Sequence, residues 1–360
     1  MRDYYRGIDG LRAVAVLTVM LSHAEVPGLL GAYIGVDIFF VISGFLITGI
    51  LLKEHRTRGV INIANFYMRR ILRLIPALLV LIAFIVAYAW LFTDTKTLIS
   101  TLHDAAITLL YSQNWTWAFN LHSGGYLAHT WSLSLEEQFY ILWPPLLVVA
   151  LRFFSTPQKL ITFLVILIGI VSCNRILLTL TGTSYHRMYL MLDTRADSLL
   201  IGALLSILAS YKLFPSKEKL RTILTFPVAF SVFLYCFLIF CSHRDYFNYY
   251  YGLTLIAIAS ASVLLLLTEF PESLLSRILS DSRLRWIGKI SYGLYLWHWP
   301  IYTILREKLN WRWYSLISLG SVAVFFCATL SFYVVEKHFL QKKEKYSAPV
   351  DTVDAILVEH

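Results

Sequence analysis

Long apolar segments alternate with short polar ones along the whole chain. Several approach the roughly 20 residues that an α-helix needs to cross a bilayer, and the others are somewhat shorter. The polar stretches between them carry charges, glycines and prolines, which are typical of helix ends and loops. The pattern predicts ten membrane-spanning helices, over residues 8–24, 33–52, 74–93, 139–154, 159–180, 196–211, 222–241, 249–268, 288–307 and 313–335.

A further apolar stretch, residues 98–111, contains His103 and Asp104, which are costly in a lipid-facing span. We expect it to form an interfacial or re-entrant helix instead. No internal repeat, low-complexity linker or second soluble domain is visible. The sequence therefore predicts an all-α, polytopic membrane domain over residues 1–340 and a short tail over residues 341–360.

The composition excludes an ordinary soluble protein. Hydrophobic residues make up 58% of the chain, charged residues only 15%, and the mean hydropathy is +0.65. A soluble domain has about 25% charged residues. The cysteines lie within apolar runs without metal-site spacing, so neither a metal site nor a disulfide framework is expected. They are Cys173, Cys236, Cys241 and Cys327.

The charge distribution predicts the orientation of the chain. With the N-terminus inside, the inward segments and adjoining helix ends hold 23 of the 31 Lys and Arg residues. This excess follows the positive-inside rule, so the +9 net charge is a topology signal and not a nucleic-acid footprint. Both termini are then cytosolic, and the longest outer loop is 94–138. The N-terminal run resembles a signal peptide, but we expect it to be retained as the first helix.

The first apolar helix has an unusual polar face. Arg12 and His23 are 11 residues apart, about three helical turns, which places them on one face roughly 16 Å apart. Arg12 then lies near the cytosolic side and His23 lies towards the outer side. Histidine suits general base catalysis because its ordinary pKa is near 6.5.

Seven motifs in this order resemble the acyltransferase-3 family of bacterial membrane acyltransferases, which includes O-acetyltransferases of lipopolysaccharide O-antigen and other surface glycans. The resemblance covers residues 5–340 approximately. It implies acetyl-coenzyme A as donor, a surface glycan or lipid-linked oligosaccharide as acceptor, and the bacterial inner membrane as location. The motifs are YRGIDGLRAVAVLTVMLSH, GVDIFFVISGFLIT, FYMRRILRLIPALL, HTWSLSLEEQFYILWP, DTRADSLLIGALL, SYGLYLWHWP and SFYVVEKHF.

The resemblance assigns the donor phosphates to arginines near the cytosolic side. Arg70 and Arg73 match the R-x-x-R of the family, and their i,i+3 spacing places both on one helix face. Guanidinium groups are well suited to phosphates. Arg12 is expected to assist them, whereas Arg69 is expected to anchor the helix to the membrane surface.

The resemblance places the thioester end of the donor near His23. In the family, a basic residue is paired with a histidine 11 positions later, and these are Arg12 and His23 here. Asp37, in the neighbouring antiparallel helix, is predicted to orient His23 and to stabilise its imidazolium form, as a triad carboxylate does. Ser43 and Gly44 lie in the same helix as Asp37. We interpret them as small packing residues and not as a nucleophile site.

Further polar and aromatic residues are predicted to line the channel or bind the acceptor. Glu136 and Glu137 are alternatives for a second base or a sugar ligand, and the sequence does not choose between them. Pro300 is expected to kink or break its helix next to His298 and Trp299. The remaining members of this group are Trp131, Ser132, Tyr140 and Arg195, the last with Asp197 as a possible ion-pair partner.

Glu336 at the cytosolic end of the last span is expected to hold Arg12 or one of the arginines at 69–73. The family segment usually has proline two residues after this Glu, and His338 stands there instead. Some family members carry an additional hydrolase-like domain outside the membrane. We expect none in this chain.

The combined prediction is an intramembrane acyl-transfer channel. The pantetheine arm of acyl-CoA runs from the arginines towards His23, which removes the proton of a sugar hydroxyl as it attacks the thioester. A covalent acyl-histidine is the alternative chemistry. A transporter that exports an acylated solute is the alternative function, and the sequence leaves acceptor identity and oligomeric state open.

Overall fold

A computed structural model describes residues 5–29, 31–240, 251–343 and 346 of the chain. These residues form helices joined by short loops, and no strand occurs among them. The all-α prediction is confirmed for this part of the protein. Of the predicted tail, only residues 341–343 and 346 are described, and residues 241–250 also lie outside the described part.

Within the described residues, each of the ten predicted segments overlaps one or more helices. The long helices are α1 (Arg6–His23), α2 (Gly35–Arg58), α3 (Ile63–Phe92), α6 (Trp131–Phe153), α7 (Pro157–Leu180), α9 (Leu192–Ser210), α10 (Lys217–Ile239), α11 (Leu253–Glu269) and α14 (Ser291–Leu309). The tenth segment spans α15 (Trp313–Ser315), a π-helical stretch (Leu316–Gly320), α16 (Ser321–Ser331), a second π-helical stretch (Phe332–Glu336) and α17 (Lys337–Lys343).

Shorter helices lie between these long ones. The predicted interfacial segment 98–111 falls on a regular helix that starts at an Asp94 N-cap. The short helices are α4 (Thr95–Leu109), α5 (Gln113–Ala118), α8 (Tyr185–Leu190), α12 (Leu274–Leu279), α13 (Ser282–Lys289) and the 3₁₀ helices Ala32–Ile34 and Gly125–Thr130.

Five helices of the described chain are long and apolar enough to cross a membrane by length and composition. These are Ala32–Arg58, Ile63–Phe92, Pro157–Leu180, Lys217–Phe237 and Trp313–Lys342. Helices α1, α6, α9 and α14 fall short because each contains three charged residues, which lower its hydropathy. These five helices indicate a multi-pass membrane protein. The number of ten spans stays a prediction.

Helix α2 lies at the centre of the bundle, with 78% of its apolar span buried. It packs on α9 almost backbone to backbone, because a Cβ at Gly44 would lie 1.9 Å from the Leu199 carbonyl oxygen. A Cβ at Gly202 would lie 2.1 Å from the oxygen of Val41. Asp37 and Arg195 precede Gly44 and Gly202 by seven residues, two helical turns, so both face the same contact.

Helix α14 continues through Pro300 from Ser291 to Leu309. Of the two predicted effects of Pro300, a kink or a break, the break does not occur and the kink stays a prediction. Proline removes the N–H that would bind the carbonyl four residues earlier, here that of Leu296. A side chain from another segment occupies that carbonyl instead, as described below, and the helix is able to continue.

Candidate functional site

A cavity with about 880 Å³ of atom-free space, part of it open to the surroundings, lies between α1, α2, α3, α6 and α14. Its wall combines apolar residues with a cluster of cations, hydroxyls and one carboxylate. The polar and tyrosine residues on the wall are Arg12, Ser43, Arg70, Arg73, Ser132, Glu136, Tyr140, Ser291, Tyr292 and Tyr295. All three arginines predicted to meet a donor therefore lie on one cavity.

The arginines reach the cavity from two helices. Nε of Arg12 on α1 donates to Oγ of Ser291, at the start of α14, at 3.3 Å. The Arg70 guanidinium lies over the ring of Tyr140, 5.4 Å from its centroid, and its Nε is buried without a hydrogen-bond partner among the described residues. A buried donor without a partner is costly, so this N–H is suited to bind an anionic ligand.

Arg69 differs from its neighbours on α3. Nη2 of Arg69 lies 3.1 Å from Oε2 of Glu54, at the end of α2. Nη1 donates to the backbone oxygen of Tyr346. Arg69 thus ties α3 to α2 and the chain end, and it is not on the cavity wall.

The structure separates the two adjacent glutamates of α6. Glu136 lies on the cavity wall, in electrostatic range of Arg12, Arg70 and Arg73. Its Oε1 accepts a 2.5 Å hydrogen bond from Oγ of Ser43. Glu137 is not on the wall. Packing alone is therefore an incomplete description of Ser43, which holds the carboxylate of Glu136 in the cavity.

Glu336 is buried at the end of the second π-helical stretch. Its Oε1 accepts a hydrogen bond from Ser331 at 3.3 Å. Arg73 and Arg12 lie in electrostatic range of its carboxylate. The structure thus brings Glu336 to the arginines that the sequence suggested.

Two histidines from α1 and α14 contact each other. Nδ1 of His23, at the end of α1, lies 2.7 Å from Nε2 of His298 on α14, and the rings stack with centroids 5.0 Å apart. Nδ1 of His298 lies 3.2 Å from the Leu294 carbonyl oxygen, which only accepts hydrogen bonds. In a neutral His298 the proton is then on Nδ1, so Nε2 accepts from His23 Nδ1–H. This arrangement makes Nε2 the basic nitrogen of His23.

Residues of α14 make further contacts with His23. The ring of Trp299 meets the His23 ring edge to face, with centroids 4.9 Å apart. Nη2 of Arg306 donates to the His23 carbonyl oxygen at 2.9 Å. Arginine at a helix C-terminus satisfies carbonyls that have no partner inside the helix. The end of α1 is therefore fixed to α14 by both the ring and the backbone of His23.

His129, in the 3₁₀ helix Gly125–Thr130, is the third histidine of this cluster. Its Nε2 lies 3.1 Å from the Leu296 oxygen, the carbonyl that Pro300 leaves without a helical donor. The carbonyl accepts, so Nε2 carries the proton of a neutral ring and Nδ1 does not. That Nδ1 is buried without a hydrogen-bond partner among the described residues. Proline thus fixes His129 beside His298, with ring centroids 5.5 Å apart.

The same segment also contacts the helix that carries His298. Nε1 of Trp299 donates to the Gly125 oxygen at 3.0 Å. The hydroxyl of Tyr295 donates to the His129 oxygen at 2.9 Å and lies 2.5 Å from Oγ of Ser132. Ser132 and Tyr295 thus connect the cavity to the histidine cluster. No group of three or more His, Cys, Asp or Glu side chains in the described chain is arranged as a metal site.

The predicted pairing of Asp37 with His23 is wrong. Oδ1 of Asp37 accepts from Nη2 of Arg195 at 2.9 Å and from Ser198 at 3.4 Å. Its Oδ2 has no hydrogen-bond partner among the described residues. The close α2–α9 contact turns Asp37 towards α9 and away from α1.

Arg195 and Asp197 do not pair with each other either. Asp197 lies 2.9 Å from Nη2 of Arg175 on α7, and all four charged side chains of these two ion pairs are fully buried. They are structural contacts between α2, α7 and α9 and are not on the cavity wall. Trp131 is also absent from that wall, since it packs against Tyr189 with centroids 4.9 Å apart.

Sequence reasoning missed several residues of this site. Ser291, Tyr295 and Arg306 lie on α14, and their spacing along one helix face was the available signal. His129 was visible only as one polar residue among several. The hydrogen bond from His129 to the Leu296 oxygen depends on how the 3₁₀ helix packs on α14, which the sequence does not reveal.

The family of this chain follows from comparison with known sequences. A family described as an acyltransferase domain matches residues 5–336, which include the arginine cavity and the histidine cluster. The chain belongs to the acyltransferase-3 family. No solved structure matches the chain significantly.

Three curated relatives show the extent of the similarity. The peptidoglycan O-acetyltransferase OatA of Listeria monocytogenes is 36% identical over 351 residues, which covers 93% of this chain and 56% of the relative. The putative peptidoglycan O-acetyltransferase YrhL of Bacillus subtilis is 35% identical over 353 residues, with coverages of 93% and 54%. A putative O-acetyltransferase of Staphylococcus aureus is 35% identical over 314 residues, with coverages of 84% and 52%.

The chain spans about half the length of the curated relatives it matches. The names of the first two give peptidoglycan, and not lipopolysaccharide O-antigen, as their glycan. The family, the cavity and the histidine cluster together define the candidate site.

Proposed function

We propose that the chain is a membrane O-acetyltransferase that moves an acetyl group from cytosolic acetyl-CoA to a hydroxyl of a cell-envelope glycan. The observation that carries this proposal is the joint placement of two sites on α1 and α14. Arg12 and Ser291 meet at one end of the pair, and His23 and His298 meet further along it. One helix pair thus presents an anion site and a base.

The cavity supports a phosphorylated thioester as donor. Its three arginines outnumber its single carboxylate, so the wall keeps a positive charge that a phosphate or diphosphate would neutralise. Apolar residues of α2, such as Phe39, Leu46 and Ile50, line the rest of the wall and suit a thin pantetheine arm. We expect Arg70 and Arg73 to bind the phosphates, with Arg12 beside them.

His23 is the proposed general base. Its Nε2 takes the proton of the acceptor hydroxyl as the oxygen attacks the thioester carbonyl carbon. The tetrahedral intermediate then expels the thiolate of coenzyme A, which receives the proton back from the His23 imidazolium. His298 accepts the Nδ1–H of His23 throughout and holds the ring in the tautomer that leaves Nε2 basic.

The acceptor is proposed from the family. Because two relatives are named for peptidoglycan, we propose a peptidoglycan-type glycan as the first acceptor to test and O-antigen as the second. We also propose a bacterial inner membrane location with both termini cytosolic and ten spans. The charge distribution supports this orientation, since it places Arg12, Arg70 and Arg73 on the coenzyme A side.

Label transfer tests this function. Membranes containing the full chain receive acetyl-CoA labelled in the acetyl group, together with peptidoglycan fragments or O-antigen, and the products are analysed by mass spectrometry. We expect acetylated glycan from the unmodified protein and a roughly 10²–10⁴-fold lower rate from His23→Ala. The matched control is His103→Ala on the exposed face of α4, which should retain the full rate.

Two results would contradict the proposal. Full transfer by His23→Ala would remove the base from the mechanism. Uptake of labelled solute into vesicles without any acetylated product would support a transporter instead.

A further inference from the structure

A second pocket lies outside the proposed active site, between α13 and the junction of the second π-helical stretch with α17. It has about 890 Å³ of atom-free space, part of it open to the surroundings. Its lining combines cations, hydroxyls and aromatic rings. The lining residues are Ser282, Arg285, Trp286, Lys289, Ile290, Phe332, Tyr333 and Lys337.

The pocket has three positive charges, and none of its eight lining residues is acidic. Arg285 and Lys289 are four residues apart on α13 and therefore share one helix face. Tyr333 and Lys337 have the same spacing on the opposing helix. Two cations thus line one side of the pocket and a third lines the other, where Tyr333 adds a hydroxyl-bearing ring.

Residues of both walls make ring contacts. The ring of Trp286 stacks on Phe325 of α16, with centroids 6.3 Å apart and planes 19° apart. The ammonium of Lys337 lies 5.8 Å from the centroid of the Tyr333 ring. The second contact restrains Lys337, a long cationic side chain of a kind that is usually mobile at a protein surface.

The pocket borders an apolar surface that a membrane would cover. Phe326, Leu330 and Val334, on the helix that carries Tyr333, are exposed by 67%, 53% and 65%. In the proposed orientation the pocket lies at the cytosolic end of this surface, where anionic lipids are found. A ligand with an anionic head and apolar tails would match both parts.

We propose that this pocket binds the phosphate headgroup of an anionic phospholipid from the inner leaflet. Arg285, Lys289 and Lys337 would contact the phosphate, and the acyl chains would run along Phe326 and Leu330. The pocket is near the active site in sequence, because Lys289 stands two residues before Ser291, the partner of Arg12. A bound lipid would therefore hold the start of α14 against α1.

Phosphate chemistry alone also fits a free phosphate group or a phosphate of acetyl-CoA. The lipid is favoured because the pocket continues into exposed apolar side chains, which a water-soluble phosphate would leave uncovered. This proposal depends on the membrane orientation but not on acetyl transfer, so lipid binding is measured without any enzymatic reaction.

The test is native mass spectrometry of the full chain released from nanodiscs that contain phosphatidylglycerol and phosphatidylcholine. The unmodified protein should retain phosphatidylglycerol in preference to phosphatidylcholine. The variant Lys289→Gln/Lys337→Gln should lose this preference, with on the order of tenfold weaker retention, since each Lys near an anionic lipid contributes severalfold. The control Lys159→Gln/Lys342→Gln removes the same charge from exposed positions outside the pocket and should retain the lipid.

The outcomes separate the possible ligands. Equal loss of lipid in the test and control variants would mean general surface charge and would overturn the proposal, as would full retention in the test variant. Displacement of phosphatidylglycerol by acetyl-CoA or by inorganic phosphate would assign the pocket to a soluble phosphate instead. Retention by Lys289→Arg/Lys337→Arg, which keeps both cations, would support the proposal and show that these two positions tolerate substitution.

Discussion

Nδ1 of His23 lies 2.7 Å from Nε2 of His298, and the Leu294 carbonyl fixes the other nitrogen of His298. A neutral imidazole therefore occupies the position that a carboxylate has in a serine hydrolase triad. A neutral partner fixes the tautomer of His23 without placing an isolated negative charge in the membrane interior, where such a charge is costly.

Removal of the His298 ring should reduce turnover. In His298→Ala, His23 loses its hydrogen-bond acceptor and its stacking partner, so we expect kcat to fall roughly 10²-fold or more. The KM for acetyl-CoA should change little, because the arginine cavity is intact. Steady-state kinetics of acetyl transfer measure both, and His298→Gln, whose amide oxygen accepts a hydrogen bond, should restore part of the rate. A KM effect without a kcat effect would place His298 in donor binding instead.

Pro300 should be required for activity and not for stability. In Pro300→Ala the new N–H competes with His129 for the Leu296 oxygen, which releases the His129 ring. Alanine in a helix interior is about 3 kcal/mol more favourable than proline, so the thermal midpoint should stay the same or rise. We expect kcat to fall on the order of tenfold although the variant is at least as stable to heat as the unmodified protein.

Kinetics and thermal unfolding on the same preparation check this prediction. Pro227→Ala in α10 is the matched control, since Pro227 also lies inside a helix but away from the site. Unchanged turnover in Pro300→Ala would show that His129 does not depend on the proline.

Arg70 and Arg73 should act on donor affinity. Replacement of either by Lys keeps the charge but loses the paired N–H geometry that suits phosphate oxygens. We expect the KM for acetyl-CoA to rise roughly tenfold with little change in kcat. Arg69→Lys, whose parent side chain pairs with Glu54, should leave this KM unchanged.

An acetyl-CoA analogue without the 3′-phosphate shows which donor phosphate Arg70 and Arg73 bind. If either arginine binds that phosphate, its Lys variant and the unmodified protein should show similar KM values for the analogue. An unchanged KM for acetyl-CoA itself in both variants would exclude these arginines from the donor site.

Asp37 should act on stability and not on the chemistry of His23. In Asp37→Asn the buried Arg195 loses its anionic partner, which costs about 3–5 kcal/mol of unfolding free energy. The double variant Asp37→Leu/Arg195→Leu removes both charges and should unfold at a higher temperature than the single variant. Thermal unfolding in detergent compares them.

The folded fraction of Asp37→Asn provides the second measurement. Its acetyl transfer, expressed per folded molecule, should keep the pH profile of the unmodified protein. A shifted pH profile at normal stability would return Asp37 to the catalytic mechanism.

The features that could be predicted from the sequence are those that depend only on residue spacing within one helix. The 11-residue separation of Arg12 and His23 fixed their common face, and i,i+3 spacing identified Arg70 and Arg73 as a pair. The apolar segments located the helices, although charged residues in α14 and α9 made those spans weak signals. These features need only the geometry of a single helix.

Contacts between distant helices were not predictable in the same way. Asp37 was assigned to His23 because their helices are neighbours along the chain, whereas the Gly44 and Gly202 contacts turn it towards α9. The true partner of His23 is 275 residues away, and its position depends on how α14 packs on α1. The presence of two histidines on distant helices did not by itself indicate that they meet.

The helices that carry His23, Glu136 and His298 are less apolar than the five that qualify as spans by composition. This difference affects biogenesis as well as chemistry. A weakly hydrophobic segment that leaves the translocation channel alone partitions poorly into lipid. We therefore expect α1 to depend on α2, which follows it, and α6 and α14 to depend on apolar helices that precede them, such as α2 and α3. The proposed catalytic centre would thus be assembled from the segments whose entry into the bilayer depends most on cooperation during synthesis.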